Sequence, residues 1–297
     1  MAEAELESLK RLILDSFPEL SGASFTLLSK GWDSTGVDVD NRWIFKFPRH
    51  AEAERALVRE ARLLAVIRPA VSVPVPELAV QSGPPLFSRH EKLQGDHLVT
   101  ADYDRLEERD RQRLASRIAL FYAELHALDR DELAAAGAEP IEPWLAPEKI
   151  RAKAIPVLPS ELRSFAERTL AGFEEMGADP CGSTYGFFDG HGWNMAFDHE
   201  TSTLNGIYDF GDSGFGDLHQ EFIYTNFISR DLTARVVSEY EKLTGQPLDR
   251  RRIDVLTGTH RLSELAELAD DRRHVGEMIE SVARWASTPG CREGSSS

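Results

Sequence analysis

The chain has 297 residues and carries 34 Lys and Arg against 50 Asp and Glu, so its formal net charge is −16. This length suits one large domain or two lobes, and the acidic balance argues against duplex nucleic acid as a partner, which needs a basic surface. The two cysteines, Cys181 and Cys291, exclude a disulfide scaffold and have no metal-ligand spacing, which favours a reducing compartment. No run approaches about 18 apolar residues and no apolar signal segment opens the chain, so the sequence predicts a cytoplasmic protein without a membrane span.

The first third of the chain shows the pattern of a small sheet with two helices. Apolar residues at three- and four-residue steps predict helices over residues 3–16 and 51–68, and Pro69 ends the second helix. Asp40-Asn41 is typical of a tight hairpin turn between two strands. The predicted strands cover residues 24–29, 35–40, 42–47, 78–81 and 86–93.

The other two thirds are mostly helical in pattern, with one strand-and-loop segment over residues 184–210. This order predicts an α+β chain with a bilobal arrangement. We expect a small, strand-rich N-terminal lobe over residues 1–93, a mostly helical C-terminal lobe over 94–290 and a disordered tail over 291–297. The predicted helices of the second lobe cover residues 110–128, 160–176 and most of 217–286.

Two short motifs in the strand-and-loop segment have the spacing of a kinase catalytic centre. Asp189 stands five residues before Asn194, and Asp209-Phe210-Gly211 follows after one predicted hairpin. A protein-kinase catalytic loop has the same spacing and the same later Asp-Phe-Gly. The chemistry requires a carboxylate that reaches the acceptor hydroxyl, and an asparagine oxygen and a second carboxylate that hold Mg²⁺ against a triphosphate. Together the two motifs predict a phosphotransferase.

Such a kinase also needs a strand lysine and a carboxylate on the following helix. Lys46 is the only charge in an otherwise apolar run, and Glu60 lies in the apolar stripe of the next helix, whereas Glu52 and Glu54 lie off it. A carboxylate on the buried side is costly unless it is paired, so Lys46 is the predicted partner of Glu60. The pair would steady the ammonium group against the phosphates; a purely structural ion pair is the other interpretation.

In these segments the sequence resembles the aminoglycoside phosphotransferase and choline kinase-like enzymes, which are small-molecule kinases with the protein-kinase fold. The resemblance spans residues 44–222, and its motifs occur in the expected order. The matching segments are Ile44-Phe-Lys-Phe-Pro-Arg49, Arg59-Glu-Ala-Arg-Leu-Leu64, Phe121-Tyr-Ala-Glu-Leu-His126, Asp189 to Asn194, and Asp209 to Asp217.

The resemblance implies a catalytic role for several residues. It makes Asp189 the catalytic base, Asn194 and Asp209 the ligands of Mg²⁺, and Lys46, with Glu60 beside it, the residue that holds the phosphates.

The resemblance also implies a nucleotide site. His90, Glu91 and Leu93 would belong to a hinge whose backbone receives adenine, and Asp217 and Glu221 match structural acids near the active-site loop. The implied cofactors are Mg²⁺ and ATP, with GTP not distinguished from ATP.

Two departures from the family pattern bear on the site. Most relatives have His-Gly before the catalytic aspartate, where this chain has Phe187-Phe188, so an aromatic ring would take over the packing role of the histidine. The expected Gly-x-Gly-x-x-Gly is also replaced by the turn from Ser29 to Gly36, which holds two glycines. Ser34, Thr35 and backbone amides are therefore the predicted contacts of the phosphates.

Two other classes of protein are alternatives. The altered loop suggests a pseudokinase-like nucleotide-binding module, although a suitable residue fills each of the four polar roles. Gly211-Asp-Ser-Gly214 copies part of a serine-protease motif, and His126, Asp129 and Ser213 occur in the chain order of that triad. No β-barrel pattern surrounds these residues, which argues against a serine hydrolase.

Five further residues have both a functional and a structural interpretation. His126 is predicted to be a partnered residue at a helix end, and His191 either touches the substrate or holds the shape of the loop. The aromatic residues Tyr103, Trp144 and Trp193 either line a pocket or belong to the core.

The predicted acceptor is a small hydroxylated molecule, and charge favours a cationic one, such as an aminoglycoside or another amino alcohol. The C-terminal lobe carries carboxylates at Glu264, Glu267, Asp270 and Asp271, and helical spacing would place all but Asp270 on one side. A cleft of one charge concentrates ligands of the other charge. Acidity also serves solubility, so a neutral, macrolide-like acceptor is the alternative.

Overall fold

The computed structural model describes residues 2–28 and 33–287 and shows a mixed α+β chain. Within these residues the N-terminal part contains a five-stranded antiparallel sheet in the order β1-β2-β3-β5-β4. The strands are β1 (Phe25–Leu27), β2 (Ser34–Val39), β3 (Trp43–Pro48), β4 (Ala79–Gln81) and β5 (Phe87–Glu91). The turn between β2 and β3 is the predicted hairpin, because Asp40 and Asn41 have φ angles of +56° and +53°.

Two helices accompany this sheet, α1 (Ala2–Ser16) and α2 (Ala51–Ile67). Helix α1 adds Ile13 to a cluster that also contains Phe45 and Phe87 from the sheet. Helix α2 begins after His50, whose side chain accepts a hydrogen bond of 3.2 Å from the Ala53 N–H. The last turns of α2 pack into the main core together with the C-terminal helices, so α2 links the sheet to the rest of the molecule.

The C-terminal part is mainly helical. Helix α4 packs along α9, and α10 packs against α6, α7 and α11 around a second, smaller core. None of the helices in the described ranges is long and apolar enough to cross a membrane. The helices are α3 (Thr100–Tyr103), α4 (Glu108–His126), α5 (Arg130–Ala136), α6 (Pro147–Val157), α7 (Ser160–Glu175), α8 (Leu218–Glu221), α9 (Arg230–Thr244), α10 (Arg250–Glu267) and α11 (Val275–Ala286).

Four short strands within this part position the two predicted motifs. They form two antiparallel pairs, β6 with β9 and β7 with β8. The segment with Asp189 connects β6 to β7, and the segment with Asp209 connects β8 to β9, so both motifs lie between the same two strand pairs. The strands are β6 (Ser183–Gly186), β7 (Met195–Asp198), β8 (Thr203–Ile207) and β9 (Gly214–Asp217).

The predicted fold class is confirmed, with small differences in element bounds. Strand β1 is shorter than the predicted 24–29, and Ser29 lies outside the described residues. Strand β5 ends at Glu91 rather than at residue 93. The predicted tail over 291–297, which includes Cys291, also lies outside the described residues. The division of the lobes at residue 93 stays a prediction.

Candidate active site

The carboxylate of Asp189 is held from two sides. The Asn194 Nδ2 donates to Asp189 Oδ2 at 2.6 Å, and the His191 Nε2 lies 2.9 Å from Asp189 Oδ1. A carboxylate only accepts hydrogen bonds, so the amide nitrogen of Asn194 must face it. The amide oxygen of Asn194 is therefore left for another partner, as a metal ligand requires.

Asp209 lies beside Asn194 because strands β7 and β8 pair. The Tyr208 N–H donates to the Asn194 carbonyl oxygen at 3.0 Å, which places the next residue, Asp209, at the edge of the same hairpin. Asp209 has a φ angle of +70°, a left-handed conformation that aspartate tolerates better than most residues. Its side chain is 54% exposed and thus accessible from the cleft.

Lys46 joins the sheet to this hairpin. Its Nζ lies 2.9 Å from Asp209 Oδ1 and 3.9 Å from Glu60 Oε1. The predicted pairing of Lys46 with Glu60 therefore exists, but Asp209 is the nearer carboxylate. Glu60 has a second function, since its Oε1 accepts a hydrogen bond of 3.0 Å from the Phe210 N–H. Helix α2 thus holds both the strand lysine and the backbone after Asp209.

The charges of this cluster fix one another. Burial alone would lower the pKa of Lys46, but the carboxylates of Glu60 and Asp209 outweigh it and raise that pKa. The Lys46 charge in turn lowers the pKa of Asp209, whereas burial raises the pKa of Glu60. Lys46 and Asp209 are therefore a charged pair at neutral pH.

The predicted hinge begins in the same sheet as Lys46, because His90 and Glu91 are the last residues of β5 and Leu93 follows them. The cross-strand pairs Lys46–Ser88 and Ile44–His90 place Lys46 and His90 on one face. The His90 Nδ1 donates to the Glu91 carbonyl oxygen at 2.9 Å, and burial lowers the pKa of His90 to about 4, so the ring is neutral.

Leu93 follows the hinge and packs against β8. A Cβ at Gly206 would come within 2.6 Å of the Leu93 side chain, so only glycine fits there. The Leu93 N–H has no hydrogen-bond partner in the described part of the chain. We refer to His90, Glu91 and Leu93 as the wall. It ends in the Leu93 N–H, a backbone donor without a partner among the described residues.

The predicted phosphate-binding turn is described only in part. Residues 29–32 lie outside the described residues, and Ser34 is the first residue of β2. Thr35 is buried, and its hydroxyl lies 3.3 Å from the Arg49 Nε and 3.5 Å from a Glu5 oxygen, so a phosphate contact of Thr35 stays a prediction.

The two phenylalanines before Asp189 have different functions. The Phe187 ring is buried 4.7 Å from the Phe210 ring, which is the packing role expected for an aromatic replacement of histidine. Phe188 has a φ angle of +52°, a left-handed conformation that costs a non-glycine residue about 1–2 kcal/mol. The Phe188 N–H donates to both Glu221 oxygens at 3.3 Å.

Two glycines make room for the Phe188 ring. A Cβ at Gly186 would lie 2.8 Å from this ring, and a Cβ at Gly216 would lie 2.7 Å from it. Sequence reasoning missed this unit, although the glycines on the paired strands β6 and β9 are its signal. Glu221 lies near the active-site loop as predicted, whereas Asp217 precedes α8 without capping it.

Carboxylates gather around the catalytic loop, and we define the acidic rim as Asp212, Glu142 and Glu264. Removal from bulk water inside the cleft, and then the charges of Asp189 and Asp209, raise the pKa of Asp212 to about 6, with a further contribution from Glu142. The charge of Glu264 acts on His191. Asp212 and Glu142 were not among the predicted residues.

The predicted acidic face over 264–271 is wrong in its geometry. Helix α10 ends at Glu267, so Asp271 lies beyond the helix and does not share a face with Glu264. The Asp271 carboxylate accepts a hydrogen bond of 2.9 Å from the Arg273 N–H and lies 2.9 Å from His274. Such local bonds to the backbone are how aspartate favours a turn over a helix.

The serine-hydrolase alternative lacks a nucleophile. The Ser213 hydroxyl donates to the Phe210 carbonyl oxygen at 2.6 Å and accepts from the Tyr185 hydroxyl at 2.9 Å, and the residue is buried. His126 is the last residue of α4 and its Nδ1 lies 2.9 Å from the Tyr240 hydroxyl, so it is a partnered helix-terminal histidine as predicted.

The three singled-out aromatic residues differ in position. Tyr103 is a core residue, Trp144 is half-buried, and Trp193 is 59% exposed beside the His97 ring at 4.9 Å. Trp193 is the one of the three that is exposed, and it precedes Asn194 in the chain.

A second polar cluster contains Asp179, Cys181 and His219, whose ligand atoms lie close together. The His219 Nδ1 donates to Asp179 at 2.7 Å, and its Nε2 accepts from the Asp249 N–H at 2.9 Å. Both ring nitrogens are occupied, so the cluster joins β6, α8 and α10 as a structural element.

Lys46 is paired with Asp209 of the Asp-Phe-Gly turn, and the loop from Asp189 to Asn194 lies on the other side of the same hairpin. This arrangement is typical of kinases that bind a nucleotide between a sheet and a helical part. The chain belongs to the phosphotransferase enzyme family, whose model matches residues 24–284. It is an enzyme of the small-molecule kinase class.

Solved structures show the same fold. The GDP and kanamycin complex of APH(2")-IIIa is 22% identical, with 94% of this chain and 98% of that chain covered and a TM-score of 0.77. The macrolide 2'-phosphotransferase MphH from Brachybacterium faecium is 20% identical, with 93% and 98% covered and a TM-score of 0.62. The streptomycin–ATP complex of APH(2")-IIa is 19% identical, with 92% and 95% covered and a TM-score of 0.60.

Proposed function

We propose that this enzyme transfers the γ-phosphate of ATP or GTP to a hydroxyl group of a small cationic amino alcohol of the aminoglycoside type. The observation that carries the proposal is the Lys46–Asp209 ion pair of 2.9 Å beside a catalytic loop in which Asn194 holds Asp189. This arrangement supplies a cation for the phosphates, oxygen ligands for a metal ion and a carboxylate for the acceptor.

The residues fit a Mg²⁺ ion. Asn194 presents its amide oxygen, because its nitrogen is bound to Asp189, and Asp209 presents a half-exposed carboxylate. These are hard oxygen ligands, which Mg²⁺ prefers together with phosphate oxygens. Bound there, the ion would neutralise charge on the phosphates; Lys46, steadied by Glu60, would contact the same phosphates.

Asp189 is the residue that we assign to the acceptor. Its carboxylate is 20% exposed and keeps further lone pairs beyond those used by Asn194 and His191. A hydroxyl group that donates to one of them would be oriented for attack on the γ-phosphorus. As the new P–O bond forms, the hydroxyl proton would pass to Asp189 and the bond from the γ-phosphorus to the β–γ bridging oxygen would break, which releases ADP or GDP.

The base of the nucleotide is assigned to the wall made by His90, Glu91 and Leu93. The Leu93 N–H and the Glu91 carbonyl oxygen are backbone groups that either purine can bind. The named neighbours were solved with GDP in one case and ATP in another, which supports a purine nucleotide without choosing between them. Ser34, at the start of β2, is kept as a proposed phosphate contact.

The acidic rim supports a cationic acceptor. The charges of Asp189, Asp209 and Glu142 act on Asp212, and the charge of Glu264 acts on His191. A cleft of one charge concentrates ligands of the opposite charge. Kanamycin and streptomycin, named with two of the neighbours, are compounds of this type. A neutral, macrolide-like acceptor is the second candidate, favoured by the exposed ring of Trp193, which precedes Asn194 in the chain, and by the macrolide 2'-phosphotransferase among the neighbours.

The test is steady-state release of ADP or GDP with kanamycin, streptomycin and a macrolide as acceptors. We expect Mg²⁺-dependent turnover that requires the acceptor and is fastest with a cation. Nucleotide binding without turnover on any acceptor would instead favour the pseudokinase alternative. The cytoplasmic location inferred from the sequence stays a prediction.

A further inference from the structure

His191 is a titratable residue of the catalytic loop to which the proposed reaction assigns no role. Its Nε2 lies 2.9 Å from Asp189 Oδ1, while the Asn194 Nδ2 donates to Asp189 Oδ2 at 2.6 Å. The two oxygens of one carboxylate are therefore engaged by two different side chains. A single contact would leave the carboxylate free to rotate about its bond to Cβ, whereas two contacts fix its plane.

The contacts of the His191 imidazole favour a positioning role over a catalytic one. The His191 Nδ1 is buried and has no hydrogen-bond partner among the described residues, so it does not face an incoming hydroxyl group. The Phe227 ring packs edge-on at 6.5 Å, and the charges that act on His191 are Asp189 and Glu264. His191 also acts on Asp209, whose pKa is lowered mainly by the Lys46 charge and further by the His191 charge.

The loop backbone supports the same geometry. The His191 N–H donates to the Asp189 carbonyl oxygen at 2.9 Å, and the Asn194 N–H donates to the His191 carbonyl oxygen at 3.1 Å. A Cβ at Gly192 would come within 1.7 Å of the Leu98 carbonyl oxygen, so the chain after His191 is confined. The tight turn thus brings the imidazole back onto Asp189.

We propose that His191 is a positioning residue: its Nε2–H fixes the Asp189 carboxylate, together with Asn194, so that one oxygen lone pair points to the acceptor hydroxyl. The proposal rests on the proposed phosphate transfer. A misplacement of about 1 Å in a reacting group can reduce a rate about 100-fold. The effect should therefore fall on kcat and leave nucleotide binding unchanged.

Three substitutions test this with MgATP and kanamycin. Glutamine places an amide N–H where the imidazole has Nε2, asparagine reaches only as far as Nδ1, and alanine has no donor. We expect His191→Asn and His191→Ala to lower kcat about 10- to 100-fold with the KM for MgATP within about twofold, and His191→Gln to restore most of the rate. His199→Gln, an exposed site on the β7–β8 turn, is the matched control and should change neither constant.

Equal losses in all three His191 variants, or a loss confined to the KM for MgATP, would overturn the proposal. A second measurement needs no turnover. In ¹⁵N–¹H spectra of the imidazole groups of the free enzyme, His191 should carry a proton on Nε2, and Asp189→Ala should expose that proton to faster exchange. A neutral ring protonated on Nδ1 would overturn the contact itself. The expected spectrum without phosphate transfer to any acceptor would contradict the proposed function while the contact stands.

Discussion

The nucleotide side of the cleft and the acidic rim differ in how their carboxylates are paired. On the nucleotide side, Lys46 lies 2.9 Å from Asp209 and 3.9 Å from Glu60, so each of these carboxylates has a cation beside it. In the rim, Asp212 and Glu142 form no ion pair within the described residues, and the pKa of Asp212 is raised to about 6, whereas Glu264 lies 3.4 Å from His260 Nδ1. The nucleotide side is built to hold its geometry, whereas Asp212 and Glu142 keep a negative potential for a ligand.

The catalytic loop lies where these two sides meet, and Asp189→Ala is the most damaging test of it. We expect kcat to fall about 10²- to 10⁴-fold, because orientation of the hydroxyl group and proton transfer act mainly in the transition state. The affinity for MgATP should stay within a few-fold, since the nucleotide side is intact. Rapid-quench kinetics and calorimetry measure the two quantities; a near-normal kcat would move the base elsewhere.

The support beneath the loop is tested by Phe188→Gly. Loss of a buried phenylalanine side chain costs about 3–5 kcal/mol, and relief of the left-handed strain returns about 1 kcal/mol. We therefore expect the free energy of unfolding in urea to fall by about 2–4 kcal/mol. Phe188→Ala is the matched variant, because it makes a similar cavity but keeps the strain. It should be less stable than the glycine variant, and the opposite order would show that the backbone of Phe188 is unstrained.

Asp209→Ala removes the Lys46–Asp209 ion pair on the nucleotide side of the cleft. Removal of this carboxylate takes away a metal ligand and the nearer partner of Lys46, so the Mg²⁺-dependent part of the affinity for ATP should disappear, a loss of about 10- to 100-fold. Calorimetry with and without Mg²⁺ measures it. Asp270→Ala, at an exposed site outside the cleft, is the control and should bind like the wild type. Unchanged Mg²⁺ dependence in Asp209→Ala would reject the assignment.

Ionic strength tests the electrostatic role of the acidic rim in acceptor binding. If the acidic rim attracts a polycation, kcat/KM for kanamycin should fall about tenfold over a tenfold rise in ionic strength, because salt screens exposed charges. The value for a neutral macrolide should change little. An uncharged best substrate, or a kanamycin rate that ignores salt, would remove the electrostatic argument and leave the kinase class intact.

The smallest expected effect comes from Asp212 alone. Its raised pKa of about 6 means that it is ionised at neutral pH and takes up a proton as the pH falls through about 6. Loss of one rim charge should then lower kcat/KM for kanamycin about three- to fivefold between pH 7 and pH 5. Asp212→Asn should show the lower value already at pH 7 and lose this part of the pH dependence. An identical pH profile in both proteins would exclude Asp212 from acceptor binding.

Local patterns were sufficient to predict the nucleotide side. Glu60 falls on the apolar stripe of α2 and Lys46 is the only charge in its strand, so helical and strand periodicity already place them face to face. The spacing of Asp189 and Asn194 and the later Asp-Phe-Gly turn identify the loops on either side of one hairpin. These relationships depend on neighbours in sequence or on one turn.

Long-range packing was beyond the same patterns. The nearer partner of Lys46 is Asp209, which is 163 residues away. Phe188 is accommodated by glycines on two other strands, and nothing in its own segment signals a positive φ. The error at Asp271 is local: α10 ends at Glu267, and Asp271 lies four residues further on, where its carboxylate accepts from the Arg273 N–H of the following turn.

The proposed phosphate transfer is tested most directly by identification of the phosphorylated product. ³¹P NMR of a reaction with Mg²⁺, ATP and kanamycin separates a phosphate monoester of the acceptor from inorganic phosphate. We expect a new monoester signal that grows with ADP and is absent when Asp189→Ala replaces the wild-type enzyme. Inorganic phosphate as the sole product with kanamycin, streptomycin and a macrolide alike would contradict transfer to an acceptor hydroxyl group.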